Sequence, residues 1–104
     1  MKLPAWVHGE WMSNTQVLAA GCHVLVAFAP AMVLAYLGAA LATLRWLSAG
    51  TILFGLAKEY GYDAHYELPK QTFAMNTQDF AGYCVGTLLF WLVAYAHTHG
   101  LVLP

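Results

Sequence analysis

Five ionisable residues interrupt an apolar background at spacings that could do chemistry: His23, then Lys58, Glu59 and Asp63, then Asp79. One imidazole with two or three carboxylates is a donor set for a divalent metal in a partly hydrated pocket. His23, Glu59 and Asp79 are the ligands such an ion would take, and it is the one cofactor these residues suggest. Glu59 is equally a candidate general base. The plainer alternative is that His23, Lys58, Glu59 and Asp79 satisfy one another and lock helix register, since buried polar groups find partners. No strong ligand pattern such as His-Glu-x-x-His is present. No reaction or substrate follows from the residues alone.

The elements that must position these groups are apolar. Hydrophobic residues make up 61% of the 104 and charged residues 9%, against about 25% charged in an ordinary soluble domain. Nine charged side chains cover the large surface of so short a soluble domain poorly. Lipid would remove the need. Trp11 to Leu44, Trp46 to Ala57 and Phe80 to Pro104 contain no Asp, Glu, Lys or Arg. About 20 such residues cross a bilayer core. The four Lys and Arg are scattered and the net charge is −1, which argues against nucleic acid as a partner. Cys22 and Cys84 sit in apolar segments without framework spacing and read as small buried hydrophobes. The segment MKLPAWVHGEWMSN lacks the apolar core of a signal peptide.

The expected architecture is an all-α, single-domain transmembrane bundle of three helices, up-down-up, over about residues 15–38, 39–60 and 79–97. Ser13, Asn14 or Thr15 would cap the first helix and Gly38 end it. Pro30 inside it should kink it. Arg45 and Trp46 suit the headgroup region of the second helix. Residues 61–78 read as a polar connection holding Asp63, His65, Glu67, Pro69 and Lys70, or as a further turn of the second helix in the first half, ended by Pro69; Asn76, Thr77 or Asp79 would cap the third helix. His97 and His99, two apart, point to different sides, which argues against a shared metal.

Each helix carries a stripe of small residues at helical spacing. These are Ala19, His23, Ala27, Ala31, Ala35 and Ala39; then Ser48, Thr51, Gly55 and Glu59; then Asp79, Gly82, Tyr83 and Gly86. Small residues mark faces where helices approach closely in lipid, so Gly55, Gly82 and Gly86 are expected packing positions. An ionisable group facing lipid costs roughly 2.5–3.5 kcal/mol, so His23, Glu59 and Asp79 should gather inward, with Lys58 and Asp63 adjacent. His23 lies about 12 Å from the helix start at 1.5 Å per residue. In an up-down-up bundle all three then meet near one membrane face.

A membrane-helix His, a Gly-x-x-Lys-Glu-x-x-x-Asp helix end and a helix opening with Asp and followed by Gly resemble small VanZ-like and YfiM-like membrane proteins of bacteria and phages. The residues carrying the resemblance are His23, Gly55, Lys58, Glu59, Asp63, Asp79 and Gly86, and it covers about residues 15 to 95. VanZ-like proteins usually have more helices, Tyr60 stands where Gln commonly follows the Glu, and YfiM-like proteins often carry a lipoprotein signal. The resemblance implies an envelope protein of the bacterial inner membrane, with the bilayer as partner and no agreed reaction. Lys2, Lys58 and Lys70 against Arg45 put the N-terminus on the cytoplasmic side. Two other classes fit: a phage holin-like pore former that self-associates through its Ala and Gly stripes, and an accessory subunit of a membrane complex in which Trp6, Trp11, Trp46 and Trp91 serve only as interface anchors.

Overall fold

The computed structural model describes residues 14–66 and 72–100. Helix α1 spans Asn14–Tyr36 and runs through Pro30. It stops where Gly38 takes a φ of +87°, a left-handed conformation open to a residue without Cβ. The Gly38 N–H donates to Ala35 O at 3.0 Å and the Ala39 N–H to Leu34 O at 2.9 Å, closing a Schellman cap over the last carbonyls. Helix α2 (Leu41–Leu56) continues without a break into a π-helical segment, Ala57–Asp63, and a final turn, α3 (Ala64–Tyr66). Helix α4 spans Phe73–Thr98.

Two boundaries differ from the sequence reading. The second rod reaches Tyr66, past the expected end at Tyr60, so the first half of the stretch 61–78 continues the second helix. Helix α4 starts at Phe73, six residues before Asp79, because the Thr72 side chain accepts the Met75 N–H and caps it. Asn76, Thr77 and Asp79 are therefore side chains of the first two turns and not caps. Lys2, Trp6, His8, Trp11, Ser13, Glu67, Pro69 and Lys70 lie outside the described residues.

Pairing fixes the topology. Gln16 meets Asp79, Gly82 lies against Ala20 and His23, Gly86 against Val24 and Ala27, and Phe90 packs with Ala31. Both series rise together, so α1 and α4 are parallel. Leu44 packs with Phe90, Ser48 meets Trp91, Gly55 meets Tyr83 and Tyr60 meets Thr77. Here one series falls as the other rises, so the second rod is antiparallel to α4. Helix α4 is the shared partner, and the described residues are all-α, in three long helical rods.

The inner faces are those of the small-residue stripes. A Cβ on Gly82 would lie 2.7 Å from Ala20 O, and one on Gly55 would lie 2.6 Å from Tyr83 Cδ2; neither space exists. Away from the charged end, Ala31, Leu44 and Phe90 form a small core. Trp91 belongs to this packing: its Nε1–H donates to Ser48 Oγ at 2.9 Å, so it is more than an interface anchor. Trp46 is exposed. Cys22 is also exposed, contrary to the buried position expected, because it falls on the outer face of α1 with Leu18, Leu25 and Val26; Cys84 is half-buried and both thiols are free.

Twenty large hydrophobic side chains are exposed among the described residues, while Gln16, Glu59, Asp63, Asn76 and Asp79 are buried. The radius of gyration is 16.1 Å and the extents are 47 × 35 × 15 Å, against about 13 Å for a compact 100-residue domain. Helices α1 and α4 are each long and apolar enough to cross a membrane. The α-helical part of the second rod has 16 residues, with Arg45 in its second turn and Lys58 just beyond its end in the π segment.

Gly86→Ala should destabilise the chain by about 1–3 kcal/mol through overpacking against Val24 and Ala27. Gly21→Ala, with open space around it, should be neutral or stabilising by up to about 1 kcal/mol through helix propensity. Thermal loss of helical circular dichroism in the purified variants measures both.

Candidate functional site

The polar residues converge at one end of the three rods, where α1 begins, the second rod ends and α4 begins. His23 Nε2 lies 3.3 Å from Glu59 Oε1, and His23 Nδ1 lies 3.7 Å from Asp79 Oδ1. Lys58 Nζ donates to Glu59 Oε1 at 3.1 Å and to Asp63 Oδ2 at 2.5 Å. All five residues singled out from the sequence are thus within one contiguous network. Glu59 is wholly buried, and Asp63 and Asp79 are nearly so. Lys58 and His23 keep partial exposure.

The backbone of the second rod makes this arrangement. In an α-helix, residues i and i+5 are about 140° apart around the axis at 3.6 residues per turn. Lys58 and Asp63 would then diverge. The π segment Ala57–Asp63 follows an i→i+5 pattern, which brings residue 63 back over residue 58 so that the ion pair can close. Tyr60 holds the segment to α4: its hydroxyl donates to Thr77 Oγ1 at 2.9 Å, and its ring packs against Phe73 and Phe80. Gly55 lets Tyr83 come close, and the Tyr83 ring meets His23 edge-on at 4.9 Å.

His23 has an assigned orientation. Its Nδ1 lies 2.5 Å from Ala19 O. A carbonyl only accepts, so Nδ1 carries the proton. In the neutral ring Nε2 then has a lone pair, and that lone pair faces a Glu59 oxygen. The Lys58 ammonium already donates to that oxygen, while the Nε2 lone pair has no donor of its own in this contact.

Uncharged partners complete the network. Gln16 Nε2 donates to Asp79 Oδ1 at 2.9 Å and to Met75 O at 3.3 Å. Asn76 is buried one turn before Asp79, and its Oδ1 has no partner; Glu59 Oε2 is likewise a buried acceptor with none. Gln16 is not marked by the sequence reading, and Asn76 is marked there only as a candidate helix cap. Their signal was available: each lies on the inward stripe of its helix, at i−3 from Ala19 and from Asp79. As uncharged amides they do not interrupt the apolar pattern as carboxylates do.

The described charges do not balance. Glu59, Asp63 and Asp79 supply three carboxylates and Lys58 one ammonium. With neutral His23 the cluster is two charges negative if no carboxylate holds a proton. Buried charge of this kind is costly unless neutralised.

Lys58→Met should lower the thermal midpoint by stranding Glu59 and Asp63, and adding Asp63→Asn should recover part of the loss. The double-mutant coupling expected for a paired network is about 0.5–3 kcal/mol; strict additivity would mean that Lys58 and Asp63 do not interact.

Comparison with known protein families, with curated proteins and with solved structures gives no match to this chain.

Proposed function

We propose that this chain is a small polytopic integral membrane protein of the bacterial or phage-encoded envelope, VanZ-like or YfiM-like in kind, with a working polar site near one membrane face. All three rods span the bilayer in this reading. The second does so with its 16-residue α-helix and the π segment together, Arg45 and Trp46 reaching one headgroup layer. The site comprises His23, Lys58, Glu59, Asp63 and Asp79, supported by Gln16 and Asn76.

One observation carries the membrane reading. Only 11% of the apolar window of α1 and 22% of that of α4 are buried inside the molecule. The core helix of a soluble protein is mostly buried. Here three carboxylates are inside and twenty large hydrophobic side chains outside among the described residues, the pattern expected when lipid is the solvent.

What supports a working site over a register lock is the leftover chemistry. A set of groups that merely satisfied one another would leave no buried acceptor over and no net charge. Glu59 Oε2 and Asn76 Oδ1 are unpartnered, and the His23 Nε2 lone pair faces a Glu59 oxygen whose donor is Lys58. A long π segment at the same place agrees, since π bulges cluster at functional sites. Gly55, Gly82 and Gly86 are used inside the chain, which removes those packing faces from the support for a self-associating holin-like pore.

Cys22 tests the membrane reading directly. It is exposed on the outer face of α1, so a chain in water would react with a water-soluble maleimide. In a Cys84→Ser background, native membranes should protect Cys22, and SDS should release it for labelling. The chain should also stay in the pellet after alkaline carbonate extraction. Full labelling of Cys22 without detergent, with the chain in the supernatant, would overturn the reading.

A further inference from the structure

We infer that His23 Nε2, Glu59 and Asp79 bind one divalent transition-metal ion of the zinc or manganese class, and that this ion balances the buried charge of the cluster. The inference rests on the reading of the cluster as a working site, and not on the membrane.

Five features agree. The donor set is one imidazole and two carboxylates, with ligand atoms from the three residues within 4.8 Å of one another. That mixture suits the borderline first-row divalent ions; calcium takes six to eight oxygens and magnesium prefers to keep its waters. The spacing also fits. Bonds of about 2.0–2.1 Å at a tetrahedral ion put neighbouring donors about 3.3 Å apart, and His23 Nε2 to Glu59 Oε1 is 3.3 Å; Asp79 Oδ1 lies 3.7 Å from the other ring nitrogen and would have to draw in as the ion binds. An ion there gives the Nε2 lone pair a partner and adds a second cation to a carboxylate that Lys58 already holds.

The supporting contacts are those that metal ligands require. A ligating His donates its other ring N–H to a carbonyl or carboxylate, which fixes the tautomer; His23 Nδ1–H does so to Ala19 O. Asp79 is held by Gln16, and Glu59 by Lys58. The second, independent pointer to a ligand is Glu59 itself: it is wholly buried, and its Oε2 has no partner. Finally, with all three carboxylates ionised, they and the one ammonium leave two negative charges among the described residues, and one divalent ion brings that sum to zero. Three protein ligands leave a fourth position for water or substrate, the form of a reactive rather than a closed structural centre.

Two protons, one on His23 and one on a carboxylate, are the competing way to neutralise the cluster. Metal uptake separates the two. The full chain is purified in detergent, stripped with a chelator, and titrated with Co2+ and then Zn2+. The expected result is one ion per chain, a visible Co2+ absorption band of a low-coordinate N/O site, its loss on adding Zn2+, and a higher thermal midpoint when loaded. His23→Gln, Glu59→Gln and Asp79→Asn should each weaken uptake at least about 100-fold, and Gln16→Leu, one shell out, about 10–100-fold. His97→Gln, distant from the cluster, should leave it unchanged.

If a ligand variant fails to fold by circular dichroism, the wild-type stoichiometry and spectrum with the milder Gln16→Leu carry the test. Folded wild type that takes up no stoichiometric Co2+ or Zn2+, or folded His23→Gln that binds as wild type does, would overturn the inference. A chain that resists carbonate extraction yet binds no ion loses the ion alone. One that binds the ion but washes off membranes upholds the ion and loses the membrane reading.

Discussion

The rest of the structure depends on one constraint: three carboxylates and an ammonium are held together where little water reaches them. Separating such charges in a low-dielectric surrounding is far more costly than in water. Lys58 therefore bridges Glu59 and Asp63, and His23 stands between Glu59 and Asp79. These contacts tie together the beginnings of α1 and α4 and the end of the second rod. The hydrophobic core at the other end is small, with Ala31, Leu44 and Phe90 its only fully buried cluster among the described residues. Polar pairing and close helix approach, more than bulk apolar burial, decide how these rods sit.

Close approach has its own requirement. Helices α1 and α4 are parallel and meet through Gly82 and Gly86, whose missing side chains let the backbone carbonyls of Ala20 and Val24 approach. That approach brings His23 to Asp79. Gly55 does the same between the second rod and Tyr83, and the Tyr83 ring then lies against His23. The glycines therefore act on the site without touching its chemistry. The π segment is the other positioning device, because it turns Asp63 back toward Lys58.

Much of the inward face was legible from residue types. In a chain with so few charges, an ionisable or small residue every three or four positions marks the face that cannot meet apolar surroundings or must leave room. Ala27, Ala31, Gly55, Glu59, Asp79, Gly82, Tyr83 and Gly86 are all buried on that face. The beginning of α4 was not legible. Polar residues from Gln71 to Gln78 look like a connection, and only the packing of Phe73 on Tyr60 and the Thr72 cap show that the helix has begun. Cys22 misled because a small apolar side chain carries no signal of which face it occupies when both faces are apolar.

The sequence by itself determined the helical class, the scarcity of charge and the stripe on which the polar residues stand, because these depend on composition and on a 3.6-residue period. Tertiary structure alone decided which nitrogen of His23 faces Glu59, that Glu59 keeps an oxygen without a partner, that Gln16 holds Asp79, and that a π turn joins Lys58 to Asp63. Those relations arise among side chains from three segments far apart in the chain. Their distances and donor roles depend on how closely the backbones approach, and no local pattern of residues encodes that.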